Sequence, residues 1–115
     1  MTDIWVLGPS SRFADESTLV RTDDITDLAT DGNGVTATLR SQKTLHIVHQ
    51  DHAPGKELHS TVPPVPGTFH IALLVKISKV RQKLNDGDED QILMADLDDD
   101  GAWDWGGPYP VSDLA

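Results

Sequence analysis

Cysteine is absent from all 115 residues, so disulfides and thiolate metal sites are excluded from both fold and chemistry. The longest unbroken aliphatic run, Ile71 to Val75, falls far short of the roughly 20 apolar residues that a membrane-spanning helix needs. The start, Met1-Thr2-Asp3-Ile4-Trp5-Val6-Leu7, lacks the basic and longer apolar stretches of a secretory leader, which with the missing cysteines predicts a cytoplasmic protein. Also missing are Gly-x-Ser-x-Gly, a P-loop, a dinucleotide fingerprint and His-Glu-x-x-His. Without a catalytic constellation, the expectation is a protein that is not an enzyme.

The most localised shortage is of positive charge. Residues 85–115 contain no Lys or Arg but ten acids (Asp86, Asp88, Glu89, Asp90, Asp96, Asp98, Asp99, Asp100, Asp104 and Asp113). Residues 1–84 hold nine acids and nine bases, so the net charge of −10 belongs to the C-terminal end. Such a charge repels phosphate backbones and anionic lipid, and it attracts cationic surfaces. The expected partner is therefore a basic protein, with no direct nucleic acid and no membrane. A ratio of 16 Asp to 3 Glu also fits salt adaptation, but that habit spreads carboxylates over a whole surface and here they collect at one end.

Length and apolar content suit a single domain over 1–115, with a charge-neutral body at 1–84 and an acidic hairpin and tail at 85–115. Ile4 to Leu7, bounded by Gly8-Pro9, reads as a first strand buried on both faces, and Thr18 to Arg21 as a second. Ile25 to Thr30, the turn Asp31-Gly32-Asn33-Gly34 and the alternating Val35 to Arg40 predict a hairpin. A tight turn at Ser41-Gln42-Lys43 then leads to a strand at Thr44 to His49. The prolines and glycines of 52–67 mark a long exposed loop.

Thr68 stands as N-cap before Phe69, Leu73, Ile77, Val80 and Leu84, which recur at helical spacing, and Asn85-Asp86-Gly87 ends the helix. Lys76, Lys79, Arg81 and Lys83 ride its C-terminal half, where cations suit the dipole, and they read as a face neutralised by the neighbouring acids. Gln91 to Leu97 and Ala102 to Trp105 form a last hairpin around Asp98 to Gly101, and Gly106-Gly107-Pro108-Tyr109-Pro110 ends regular structure. The predicted class is α+β. It is a small antiparallel sheet, a meander of five to seven short strands, with one amphipathic helix, Thr68 to Leu84, packed across it and an acidic C-terminal hairpin.

Three constellations invite chemistry. Asp96-x-Asp98-x-Asp100-Gly101 resembles the first half of an EF-hand or dockerin-type calcium loop, and it is similar to acidic inter-strand loops of extracellular repeat proteins. That resemblance implies Ca2+ held by Asp96, Asp98, Asp100 and Asp104, with the carbonyl of Ala102 as a further ligand. The twelfth position, where the family carries a bidentate acid, is Gly107. The alternative is a plain turn in which Asp caps its own backbone and Gly takes positive φ.

Trp103 and Trp105 share one strand face, with Asp104 on the other. Either the rings cover the core, or one of them is an exposed anchor ringed by carboxylates, as at a protein-binding hot spot. Of the five histidines, His46 and His52 would lie about 20 Å apart on an extended strand and His49 faces away from both. A zinc site would need His52 or His59 to fold back from the loop, and surface histidines are the simpler reading.

The functional expectation is a non-catalytic acidic protein-binding module of inhibitor, immunity or nucleic-acid-mimic type. Its contact residues would be Trp103, Asp104, Trp105, Asp98, Asp99 and Asp100. A calcium-stabilised module and a structural subunit of a larger particle are the alternatives.

Overall fold

Apolar runs and alternating stretches become strands, and the one run with helical spacing becomes a helix. The computed structural model describes residues 2–9, 17–31, 34–49, 64–85 and 87–113. In chain order the elements are β1 (Ile4–Pro9), β2 (Ser17–Arg21), β3 (Ile25–Asp31), β4 (Gly34–Leu39), β5 (Thr44–His49), α1 (Phe69–Lys83), β6 (Gln91–Leu97) and β7 (Trp103–Pro110). Short 3-10 turns cover Thr22–Asp24 and Val111–Asp113. The architecture is α+β, as the sequence predicts, with the strands shared between two sheets.

The larger sheet has the order β2-β1-β6-β7 and the smaller β3-β4-β5. Every pairing is antiparallel except β1 with β6, which run parallel through Ile4↔Gln91, Trp5↔Ile92, Val6↔Leu93 and Leu7↔Met94. A parallel pair needs a crossover, and here the smaller sheet and α1 lie within it. The acidic end is thus no appendage, because β6 and β7 form half of the larger sheet.

The core lies between the sheets and α1. Val6, Leu93, Ala95, Trp103 and Trp105 face inward from the larger sheet, Val35, Ala37 and Ile47 from the smaller, and Phe69, Leu73, Ile77 and Val80 from the helix. The expected double burial of β1 is half correct: Ile4 and Val6 are buried, whereas Trp5 and Leu7 are half-buried. Gly8 lies inside β1 rather than ending it. A Cβ there would sit 2.3 Å from the carbonyl oxygen of Ile47, so only glycine lets the two sheets approach this closely.

Several local expectations change. Thr68 makes no side-chain cap. The carbonyl of Pro66 accepts from the Phe69 amide, and Thr30 of β3 supplies the missing side-chain acceptor, its Oγ1 taking the His70 amide at 3.3 Å. The same hydroxyl meets His70 Nδ1 at 2.5 Å, so a residue distant in sequence caps the helix. Residues 52–63 of the predicted loop lie outside the described residues, but Val65, within the same stretch, is buried in the core rather than exposed. Nor does regular structure end at Gly106. β7 continues to Pro110 across a bulge between the pairs Met94↔Gly106 and Ile92↔Tyr109, where Gly107 takes φ 107°. β7 is an edge strand, so Pro108 and Pro110 remove no ladder bond on its open side.

Asp90 ties the sheet's start together. Its Oδ1 accepts the Asp3 amide at 3.0 Å, its Oδ2 accepts Trp5 Nε1 at 3.1 Å, and its carbonyl takes the Val111 amide. The two donors, Asp3's amide first, hold the Asp90 carboxyl below its usual value. A depressed carboxylate pKa adds stability above the unfolded value, near 3.9, and that contribution disappears as pH falls through the folded value. Asp90→Asn should therefore lower the urea midpoint at pH 7, and the gap from the unaltered protein should close as the pH drops below about 4. A gap independent of pH would contradict this role.

Candidate protein-binding surface

The β6–β7 hairpin is closed by a turn that the sequence spells out. The Asp98 amide donates to the Ala102 carbonyl at 2.8 Å, the Gly101 amide donates to the Asp98 carbonyl at 2.9 Å, and Gly101 takes φ 81°. This is a three-residue hairpin loop with a left-handed glycine. The Asp98 carboxylate turns inward, its Oδ1 accepting the amides of Asp100 and Ala102, each at 2.9 Å. The same form recurs at Leu39–Lys43, with Gln42 at φ 70° in the glycine position.

That geometry corrects the calcium expectation. Asp96 and Asp104 face each other across the hairpin, and each accepts the amide of the following residue at 2.8 Å. Asp98 is occupied with its own turn, and Asp100 is exposed at the tip. Among the described residues no group of three or more His, Cys, Asp or Glu side chains is placed to hold a metal ion. Asp96, Asp98, Asp100 and Asp104 therefore do not converge, because the turn spends its bend on backbone hydrogen bonds. Of the histidines, His46 is exposed and His70 is bound to Thr30, while His52 and His59 lie outside the described residues.

The tryptophans are core residues. Trp103 is 9% and Trp105 3% exposed. Trp105 stacks on Phe69 at 4.7 Å between centroids and 16° between planes, and its Nε1 donates to the Phe69 carbonyl at 3.0 Å. Trp103 meets the same ring at 6.0 Å. The exposed-anchor reading of Trp103 and Trp105 is overturned for a simple reason. Their strand face is the one that α1 covers, and the first turn of the helix supplies both a ring and a carbonyl.

Carboxylates occupy the opposite face and the tip. Asp98, Asp99, Asp100 and Asp104 are exposed and Asp96 is half-exposed. None forms an ion pair with Lys76, Lys79, Arg81 or Lys83 among the described residues. Arg81 instead reaches the 3-10 turn, pairing with Asp23 and donating to Thr22 Oγ1 at 3.2 Å. Arg21 is likewise engaged elsewhere, with Asp24 at 3.1 Å and Asp3 at 3.9 Å. Among the described residues, the expected neutralisation of the helix cations by ion pairs with the acidic end is not seen.

Register also shows what shares the outer face with these carboxylates. One row across the sheet is Leu19, Leu7, Met94 and Gly106, and the next is Arg21, Trp5, Ile92 and Tyr109. The pair Asp96 and Asp104 borders the first row. Ile92 is 3% exposed although it faces away from the core, while Leu19 is 46% and Tyr109 37% exposed. The tyrosine hydroxyl would lie 3.1 Å from a Cβ on Gly106, so the ring extends across that glycine toward the Met94 row. The unbroken Gln91-Ile92-Leu93-Met94-Ala95 run was the available signal, since a strand with polar residues on one face would alternate.

A scan of protein-family models and searches of curated proteins and of solved structures find no match to this chain.

Proposed function

We propose that this chain is a non-catalytic protein-binding module that engages a basic partner through its acidic C-terminal hairpin, in the manner of an inhibitor, an immunity-type protein or a mimic of nucleic-acid charge. The observation that carries the reading is that Asp98, Asp99, Asp100 and Asp104 are exposed and unpaired with the four helix cations. Clustered, unneutralised carboxylates raise the local concentration of a cationic partner and accelerate encounter. Trp103 and Trp105 serve this site as scaffold, fixing the hairpin to α1. A cysteine-free chain suits the reducing cytoplasm, where we place its action.

Titration with oligolysine tests the charge term directly. Binding is expected at low salt, with affinity falling as salt rises, and it should be lost when Asp99, Asp100 and Asp104 are all replaced by Asn. No binding at low salt, or binding indifferent to those substitutions, would overturn the proposal.

A further inference from the structure

We infer that the basic partner docks across the outer face of the β2-β1-β6-β7 sheet, inserting an apolar side chain between Leu19, Leu7, Met94 and Tyr109 while its flanking cations meet Asp96 and Asp104. This rests on the proposed acidic-module reading and names the surface that reading lacks now that both indoles are buried.

The placement follows from register. Leu19, Leu7 and Met94 are successive cross-strand neighbours, and Tyr109 extends over Gly106 at the end of the same row. At about 4.8 Å per strand the row spans about 14 Å, room for one or two apolar side chains. The helix packs on the other face, against the inward Trp105, and β5 meets β1 at Gly8. Leu19 and Tyr109 are exposed at the ends of the band with Leu7 and Met94 half-buried between them, and an apolar centre with a charged rim is the ordinary anatomy of a protein-binding patch.

Charge selects the occupant. The carboxylates of Asp96 and Asp104 lie opposite each other, one register step from the Met94 row. Like charges facing one another across a strand pair destabilise it, and a bound cation relieves that repulsion. The molecule carries a second exposed apolar patch, Ile71, Leu74 and Val75 on the outward face of α1. Lys76, Lys79 and Lys83 flank it, which would repel a basic partner. Arg21, in the adjoining row of the sheet face, is already paired with Asp24 and Asp3, so among the described residues the acidic border of the sheet face suits a cationic protein better than the lysine border of the helix patch.

Two heptapeptides of equal charge, one alternating Lys with Leu and one alternating Lys with Ser, provide the test at low salt. The Lys-Leu peptide is expected to bind about tenfold more tightly, because leucine burial adds to the shared charge term. Leu19→Ser with Tyr109→Ser should abolish that advantage and leave Lys-Ser binding intact, whereas Leu74→Ser with Val75→Ser should change neither. Amide chemical-shift mapping on the unaltered protein, which requires no variant, should show Lys-Leu perturbations at Leu7, Leu19, Met94 and Tyr109.

Equal affinity for the two peptides, with shifts confined to 98–101, would overturn this inference and leave the acidic module standing. If neither peptide binds, both readings fall. Shifts at Ile71, Leu74 and Val75, or sedimentation showing that a second copy already covers the sheet face, would also overturn it.

Discussion

Gly8→Ala is expected to lower the unfolding free energy by about 3 kcal/mol, at the upper end of what overpacking usually costs. The added methyl would fall 2.3 Å from the Ile47 carbonyl oxygen, 2.7 Å from its Cα and 2.8 Å from its carbonyl carbon. These are backbone atoms in the third strand of the smaller sheet, and no side-chain rotation moves them aside. The sheets must separate, and the buried Val6 and Ile47 beside the contact lose packing that a gap of even half an ångström weakens substantially. Urea unfolding measures the effect directly. A loss under 1 kcal/mol would mean that β1 and β5 are not in contact as described.

Trp105→Ala should cost still more, about 3–5 kcal/mol, the range for removing a buried large aromatic. The substitution deletes the ring stacked on Phe69 and the hydrogen bond from Nε1 to the Phe69 carbonyl, which together attach the C-terminal hairpin to the first turn of α1. Trp105→Phe separates the two contributions, because it keeps a ring and removes the donor, costing about 1 kcal/mol for the hydrogen bond. Both variants should lose stability before they lose affinity for a cationic probe. Unchanged stability with binding lost would restore the indole to the contact surface.

These two residues show where the sequence was informative and where it was not. Local pattern located the strands and the helix because each is written in nearby residues: the alternation of Val35 to Leu39, the Phe69, Leu73, Ile77 and Val80 spacing, and the Asp98 to Gly101 turn. Gly8-Pro9 looked like a strand end, since glycine and proline usually punctuate, yet Gly8 is in mid-sheet because another backbone approaches it. The parallel β1–β6 pairing joins residues more than eighty positions apart and leaves no local trace. The same is true of Thr30, which caps a helix that begins some forty residues later.

The candidate site was legible as charge and misread as geometry. Ten acids without a base in 85–115 are plain in the sequence, and Asp98, Asp99, Asp100 and Asp104 are exposed in the fold. Alternation placed Trp103 and Trp105 on one face and Asp104 on the other, but it could not say which face α1 would cover. Once the helix takes the tryptophan side, the carboxylates share their face with Met94 and Tyr109. Tyr109 lay in a segment that seemed to end regular structure, and a bulge at Gly107 carries the strand past it.

Among the described residues the exposed carboxylates of Asp99, Asp100 and Asp104 form no ion pair that holds the fold, whereas the indoles on the reverse face pack its core. Urea unfolding of the Asp99→Asn, Asp100→Asn, Asp104→Asn triple variant tests it most directly. The predicted result is a midpoint unchanged or slightly raised, since Asp104 stands opposite Asp96 and loses a like-charge repulsion worth a few tenths of a kcal/mol. A midpoint lowered by the equivalent of 1 kcal/mol or more would show instead that these carboxylates hold the fold and are not a free binding surface.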